Sequence, residues 1–328
     1  PVNAAARGIA LSNVTAQNGE VRLTPTGAAD PSTDRLRTDQ INATGDIVLN
    51  ATAGTVNVRS ALTSGAINIA GNDVSLGGGA SAIFRTPGAI TLTARTGRVI
   101  QFAGSTVQST SDGVGSEAVL IETATAPSFG GTIQGGPARQ SDVLVRFGTG
   151  ATGFSASSIT ARDLLTAKGS DPFSAGITGL NTIDIGTLTL TNSILLHGNS
   201  VTMRNIRSVT GDIDIAIAGT GLALLNGSVS GRDVKITAKG TLWFDSAGRI
   251  FGRQVVLSAA DLVNFRGPDA ISAQRWLIYL PQPGNAFNNL NSNNTAIWNA
   301  TLATRDPSTI TGNRYVFALR PTVNVAAN

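Results

Sequence analysis

Pairs of apolar residues separated by a single residue recur along almost the whole chain of 328 residues. Each pair indicates a short strand with one buried face, because successive side chains of a strand point to opposite faces. A period of 20 to 50 residues is typical of solenoids, propellers and other repeat architectures. Two interleaved series have such a period, one of 21 residues and one of 20: Ile213, Val234 and Val255, and Leu222, Leu242 and Leu262.

The stretch from Gly45 to Val58, GDIVLNATAGTVNV, has two interpretations. A β-hairpin would pair its two apolar segments antiparallel, and a hairpin meander needs turn signals every 8–12 residues or so. Alternate strands of this chain keep a stricter register than adjacent ones, which a meander does not explain. We therefore predict an all-β parallel β-helix, or β-solenoid, with coils of about 20 residues stacked about 4.8 Å apart. Ile47 would then stack near Ile67, and Val56 near Val74.

The composition fits this prediction and excludes several classes of protein. The chain has 38 glycines but only three lysines and three glutamates, which are strong helix formers. It has no cysteine, so disulfides, thiolate metal sites and cysteine nucleophiles are excluded. No apolar run approaches the roughly 18 residues of a membrane-spanning helix. The net charge is +4, but the arginines are scattered, so we expect no nucleic-acid partner.

We predict that residues 1–271 form the β-helix. Its first residues lack the charged start and apolar core of a signal peptide, so we expect a processed chain or a portion of a longer one. Stretches rich in glycine, serine, proline or charge are predicted to be loop excursions from the coils, where partner contacts would lie. There are four of these stretches: 24–40, 104–117, 126–141 and 167–181.

Aromatic residues concentrate near the C-terminus, and we predict a capping segment over residues 272–328. The last coil of a solenoid has an open strand edge, which invites edge-to-edge association unless it is covered. An aromatic surface for a ligand is the alternative interpretation. The residues predicted to form this structural cap are Trp276, Tyr279, Trp298, Tyr315 and Phe317.

Three pieces of this segment carry a resemblance to a known family. They are Arg275–Tyr279 (RWLIY), Asn294–Ala300 (NTAIWNA) and Gly312–Phe317 (GNRYVF), and they follow a glycine-rich repeat region of the GDIxL kind. The segment resembles large secreted exoproteins of the two-partner-secretion type, the filamentous-haemagglutinin-like bacterial adhesins. The family's Asn-Pro-Asn-Gly secretion motif is absent, so the chain resembles an internal or trimmed portion of such a protein, or a short relative of it.

The resemblance implies a right-handed parallel β-helix in a secreted or cell-surface protein. Its partners would be an outer-membrane secretion pore and a host or neighbouring-cell surface or glycan. A solenoid also offers unpaired strand edges at its ends, so head-to-tail self-association into extracellular fibres is a further expectation. We therefore expect a non-catalytic structural or adhesive protein, a rigid β-solenoid.

Parallel β-helices also serve as polysaccharide lyases and hydrolases, which act through clustered carboxylates. Asp212 and Asp214 flank the inward Ile213, and Asp46 and Asp233 each precede an apolar pair. A carbohydrate-active enzyme is therefore the alternative function, and it requires two or three outward carboxylates on adjacent coils, with arginine or lysine, in a groove. The simpler interpretation is that these aspartates bond to nearby backbone in turns.

Other chemistry has little support in the sequence. His197 is the only histidine, and no nucleophile-elbow motif accompanies it, so we predict a strand-end or turn position for it. The calcium-binding nonapeptide, phosphate loops and zinc spacings are absent, and we expect no metal or cofactor. A glycan on an Asn-x-Ser/Thr triplet is a further possibility, at Asn13, Asn42, Asn50, Asn226, Asn293 or Asn299.

Overall fold

The computed structural model describes residues 2–4, 8–25, 34–78, 82–110, 117–136, 141–221, 223–283 and 287–320. In these ranges the regular structure is almost entirely β-strand, and nearly all strand pairs are parallel. The prediction of an all-β parallel β-helix is confirmed. The chain divides into two compact units, Pro1–Thr191 and Asn192–Asn328. The predicted boundary at 271/272 does not coincide with this division, and it stays a prediction.

The first unit contains nineteen strands among its described residues. They are β1 (Val2–Ala4), β2 (Ile9–Ala16), β3 (Val21–Leu23), β4 (Asp34–Ala43), β5 (Ile47–Asn50), β6 (Thr55–Thr63), β7 (Ile67–Gly71), β8 (Asp73–Leu76), β9 (Ile83–Thr86), β10 (Ile90–Ala94), β11 (Val99–Gln101), β12 (Thr106–Ser109), β13 (Glu117–Thr123), β14 (Ser128–Gly135), β15 (Asp142–Phe147), β16 (Gly153–Ala161), β17 (Leu164–Lys168), β18 (Ser174–Ala175) and β19 (Ile177–Leu190).

Each coil of the first unit contributes three short parallel segments. Ile47 of β5 pairs with Ile67 of β7, and Val56 of β6 pairs with Val74 of β8, as predicted. The second half of β6 pairs with β9 and forms the third segment. The strands before and after the Gly54 turn therefore pair with the next coil and not with each other, which excludes the hairpin.

The core of the first unit consists of columns of inward residues that repeat from coil to coil. Small aliphatic side chains suit this narrow interior, since each one packs on its counterpart one strand spacing away. The column on the third segment is in register over eight coils and is buried throughout: Val14, Ile41, Ala61, Phe84, Val107, Ile133, Ile159 and Leu188.

The second unit has eleven strands in its described part, together with short 3₁₀ helices at Gly267–Ala270 and Pro307–Thr309. The strands are β20 (Ile194–Ser208), β21 (Ile213–Ile217), β22 (Ala223–Leu225), β23 (Ser228–Ser230), β24 (Asp233–Ala238), β25 (Thr241–Phe244), β26 (Arg249–Ser258), β27 (Asp261–Asn264), β28 (Ile271–Leu280), β29 (Ile297–Trp298) and β30 (Arg314–Phe317).

The predicted 21-residue series is the central column of the second unit. Ile213, Val234 and Val255 are in register and buried, and the column continues to Trp276. In the 20-residue series, Leu222 lies outside the described residues. Leu242 pairs with Ala223, the residue after Leu222, so the spacing at this strand is one residue shorter than the sequence pattern indicated.

A stack of glycines lies in the turns just before β5, β7 and β10, which are the first strands of three successive coils. Gly45, Gly65 and Gly88 occupy the same corner in successive coils, where a Cβ on Gly65 would lie 2.7 Å from the carbonyl carbon of Gly45. The Thr63 hydroxyl donates to the Gly45 carbonyl, and Thr86 repeats this bond to Gly65 one coil later. These glycines are therefore required by the close approach of successive coils.

Strands lie within all four stretches that were predicted to be loop excursions, and the prediction was wrong there. They are residues 34–40 of β4, all of β12, all of β14, and β18 with the start of β19. In β14, Phe129 and Ile133 are buried, while Gly131 lies where a Cβ would be 2.1 Å from the Ser105 carbonyl oxygen. Glycine here serves close packing at a bend. Residues 26–33, 111–116 and 137–140 of these stretches lie outside the described residues.

Candidate functional surfaces

The outward aspartates of the second unit form ion pairs between successive coils. Asp212 lies just before β21 and accepts two hydrogen bonds from Arg232, at 2.8 Å from Nε and 2.7 Å from Nη2. It also accepts the backbone N–H of Asp233 at 3.2 Å. The hydrogen bonds from Arg232 hold the pKa of Asp212 below its ordinary value of 3.8.

The next coil repeats this arrangement. Asp233 accepts hydrogen bonds from Nε of Arg253 at 3.0 Å and from Nη2 at 2.5 Å, and its carboxylate accepts the Gln254 backbone N–H. One coil further on, Gln254 takes the place of the aspartate and accepts from Arg275. Arg275 also donates to the backbone carbonyl of Pro307 at 3.0 Å, so this series of contacts continues into the C-terminal segment. We call these three contacts the Asp–Arg ladder.

A second, looser column lies beside the ladder. The Asp214 carboxylate is 3.3 Å from Nζ of Lys235 and 3.5 Å from Nε2 of His197. His197 lies in the interior of β20, so its prediction as a strand-end or turn residue was wrong. Ile213 separates Asp214 from Asp212 and points into the core. The structure thus brings the predicted Asp212, Asp214 and Asp233 to one face, where each carboxylate contacts a cation of the next coil.

The backbone contacts of these aspartates differ from the local turn bonds that the sequence suggested. Asp46 accepts the N–H of Ala66 at 2.7 Å, which is a bond to the next coil, as are those of Asp212 and Asp233. The arginine partners were missed altogether. The signal was present, because Gly231-Arg232-Asp233 and Gly252-Arg253-Gln254 repeat with the period of the core column.

Four of the five predicted cap residues lie in one aromatic cluster. The ring of Tyr315 stacks on Phe287 at 4.6 Å between centroids and meets Trp276 edge-on at 5.2 Å. Phe317 lies 6.0 Å from Tyr315 and stacks on Trp298 at 4.8 Å. Tyr315 is partly buried, and its hydroxyl donates to the Leu290 carbonyl. Burial raises the pKa of this phenol well above its usual range.

Tyr279 lies apart from this cluster, on the outward side of β28. Its hydroxyl donates to the Arg305 carbonyl at 2.9 Å, and its ring packs in a buried group with Leu277, Ile310 and Val316. The C-terminal segment therefore covers the outer face of β28 as well as continuing the stack through β30 and β29. In the part of this unit that the structure describes, β29 ends the stack that runs through β28 and β30 and has only two residues, while β27 ends a neighbouring stack with four. The capping role of these side chains stays a prediction.

One outward face of the first unit carries a groove of about 270 Å³ between β10, β13 and β15. Its charged residues already have partners within the chain. Arg146 lies over the ring of Phe173 at 4.5 Å, donates to the carbonyls of Gly169 and Asp171, and is 3.7 Å from Glu122. Within this groove we therefore find no charge left free for a ligand.

Most of the Asn-x-Ser/Thr triplets are accessible to solvent. The Asn13, Asn226, Asn293 and Asn299 side chains are exposed, whereas Asn42 and Asn50 are partly buried. Among the described residues, no group of three or more histidine, aspartate or glutamate side chains is placed to hold a metal ion. None of the helices in the described ranges has the length and apolar character needed to cross a membrane.

Comparisons of the chain with protein-family models, with curated proteins and with solved structures find no match. The class that the fold defines is that of parallel β-helix proteins. The resemblance of the C-terminal segment to haemagglutinin-like exoproteins stays a prediction from sequence.

Proposed function

We propose that this chain is a non-catalytic secreted or cell-surface protein whose β-solenoid serves attachment or assembly into extracellular fibres. The observation that carries the proposal is the Asp–Arg ladder. Its carboxylates bind the arginines and backbone of the next coil, so they hold successive coils together. An outward surface built in this way gives a stable scaffold that displays polar faces.

Attachment is the better supported of the two structural roles. A strand edge recruits another chain through its unpaired backbone groups, and a longer edge offers more of them. β29 offers only two residues, and the aromatic cluster lies beside it. Head-to-tail stacking on β29 would therefore have little backbone to pair with, and β27, which ends a neighbouring stack, offers only four residues. The proposed partners are a host or neighbouring-cell surface or glycan and, from the family resemblance, an outer-membrane secretion pore.

The experiment is to image the native material by negative-stain microscopy and to measure attachment of the labelled chain to epithelial and bacterial cells. Isolated particles on cells support attachment, and continuous filaments support a fibre component. Absence of both attachment and filaments would contradict the proposal. A variant with Asp212→Asn and Arg232→Gln is the control. It should attach as the unaltered chain does, because neither role requires the ladder residues to touch a partner.

A carbohydrate-active enzyme is the second candidate, and one observation favours it. Asp212 and Asp233 lie on adjacent coils, with Asp214 and two arginines on the same face. A lyase or hydrolase needs carboxylates that exchange protons with substrate, whereas these carboxylates accept hydrogen bonds from arginine. Release of product from polygalacturonate, alginate or chitin that disappears in Asp212→Asn would favour the enzyme over the scaffold.

A further inference from the structure

Three neighbouring strands of the first unit bend at the same place, and the bend exposes two polar columns. In β4 and β6 the alternation of buried and outward residues is interrupted, so that two consecutive side chains lie on the surface. Asn13, Gln40 and Ser60 are in register across the three strands. The six surface residues of the bend, two from each strand, are Ser12 and Asn13, Asp39 and Gln40, and Arg59 and Ser60.

These six residues, with Ala82, line a pocket of about 350 Å³. This volume is within the range of about 300–1,000 Å³ that is usual for small-ligand sites. The pocket is open to solvent and extends across three consecutive coils, which lie about 4.8 Å apart. It therefore presents polar groups at a regular spacing to a chain-like molecule lying along the coil axis.

The charged groups of this pocket have no partner in the part of the chain that the structure describes. Asp39 and Arg59 are on adjacent coils, as Asp212 and Arg232 are, but they form no ion pair within 4.0 Å. The one hydrogen bond here joins the Ser60 hydroxyl to the backbone carbonyl of Asp39 at 3.4 Å, and it leaves the carboxylate free. In the second unit, by contrast, the Asp212 carboxylate and the Arg232 guanidinium form a bidentate contact.

The set of free groups determines what kind of molecule fits. The guanidinium of Arg59 supplies donors, the Asp39 carboxylate supplies acceptors, and the Asn13 and Gln40 amides and two hydroxyls supply both. One positive and one negative charge leave the pocket without net charge, so neither an anionic nor a cationic polymer is favoured. Sugar hydroxyls both donate and accept, and charge-assisted hydrogen bonds to them are the stronger kind.

We propose that this bend pocket, defined by Ser12, Asn13, Asp39, Gln40, Arg59 and Ser60, binds a neutral oligosaccharide lying across three coils. The inference rests on the proposed attachment function and gives its ligand class and its location. Binding through a shallow polar surface is weak for each module, with a Kd of about 0.1–1 mM. Several copies on one surface would raise the effective affinity through multivalency.

The experiment measures binding of cellohexaose, mannohexaose and chitohexaose to the full chain by saturation-transfer NMR and titration calorimetry. Hexagalacturonate and a heparin-derived hexasaccharide serve as anionic comparators. At least one neutral hexaose should bind, with an affinity that changes less than twofold between about 20 and 300 mM salt. The double variant Asp39→Asn, Arg59→Gln, which keeps the net charge and a polar side chain at each position, should weaken this binding at least tenfold.

The matched control is Arg37→Gln, which removes an exposed arginine of the same strand outside the pocket. It should leave hexaose binding within twofold of the unaltered chain. The proposal is overturned if no neutral hexaose binds, if the double variant binds as the unaltered chain does, or if only an anionic hexasaccharide binds. Saturation transfer of equal strength in the unaltered chain and in the double variant would place the binding elsewhere.

Cell attachment, measured with the same proteins, separates this inference from the proposed function. If the unaltered chain attaches to cells but binds none of the neutral hexaoses, the pocket assignment fails and attachment stands. If a hexaose binds at the pocket but no cell is attached, the attachment function fails and the site stands. Thermal unfolding of each variant verifies that a loss of binding is not a loss of fold.

Discussion

The carboxylate of Asp212 lies 2.7 and 2.8 Å from two guanidinium nitrogens of Arg232, which belongs to the next coil. The same carboxylate accepts the N–H of Asp233, whose own carboxylate contacts Arg253. Asp233 thus accepts hydrogen bonds from Arg253 of the following coil through its side chain and donates one to Asp212 of the preceding coil through its backbone. This relay fixes the turn at the start of each strand relative to its neighbours.

The first prediction concerns Asp212→Asn. Because Arg232 lowers the pKa of this carboxylate in the folded state below 3.8, the pair stabilises the fold above that pH. The stabilisation is lost as pH falls through the lowered folded-state pKa. Both groups are largely exposed, so we expect the variant to unfold only about 1–2 °C lower at neutral pH. Thermal unfolding followed by circular dichroism should show this difference vanish once the pH is below the lowered pKa of Asp212. A difference that is constant with pH would contradict the mechanism.

The second prediction concerns Asp142, whose pH dependence should have the opposite sign. Its carboxylate is buried, and one oxygen has no hydrogen-bond partner, while the other is 2.6 Å from Nη2 of Arg162. Burial raises the pKa of Asp142 above 3.8, and Arg162 offsets this only in part. The folded state therefore binds the proton more tightly than the unfolded state, and stability falls as pH rises from 3.8 through the folded pKa.

We therefore expect the unaltered chain to gain stability relative to Asp142→Asn as pH is lowered into this window. The asparagine keeps an acceptor for Arg162 without the buried charge, so the variant should lack this pH dependence. Denaturant unfolding at a series of pH values measures both proteins. A relative loss of stability on acidification would show that the ion pair with Arg162 outweighs burial.

The fold was predictable because the residues that repeat about every 20 positions all serve one purpose, which is to fill the core. Ile47, Ile67 and Val234 point inward, and no other environment would select an apolar residue at those positions in every coil. The bends were not predictable in the same way. Gly130 and Gly131 resemble loop residues in sequence, whereas in the structure they relieve contacts with the backbone of the preceding coil.

The surface chemistry was predictable only in its residue types. The aspartates were identified, but their partners depend on which side chains the coil length brings opposite each other. The spacing also differs between segments of one coil, since Ala223 pairs with Leu242 at 19 residues whereas Val229 pairs with Ile250 at 21. Asp39 fell in a stretch that reads as a charged loop, whereas Arg59 lay outside it, so their location in one pocket could be seen only once the strands were paired.

The third prediction concerns the glycine stack. In Gly65→Ala the new Cβ would lie 2.7 Å from the Gly45 carbonyl carbon and 2.3 Å from Oδ1 of Asp46. Relief requires the two coils to separate and the Asp46 contact to Ala66 to break, so we expect destabilisation of about 1–3 kcal/mol. Gly150→Ala is the control, because nothing lies within 4 Å of a Cβ there. Chemical denaturation of both should show a loss only for Gly65→Ala, and equal losses would mean that the stack tolerates a methyl group.

The fourth prediction concerns the aromatic cluster at the end of the second unit. Tyr315 contacts Trp276, Phe287 and Phe317 and is partly buried, so Tyr315→Ala removes the central ring of the cluster. We expect a loss of about 2–3 kcal/mol, below the range of about 3–5 kcal/mol for truncations of fully buried aromatic side chains. Tyr315→Phe keeps the ring but loses the hydrogen bond to Leu290, and should cost only about 1 kcal/mol. If the cluster also blocks edge pairing, Tyr315→Ala should form larger species in light scattering while Tyr315→Phe does not. Destabilisation of Tyr315→Ala without association would limit the cluster to a packing role.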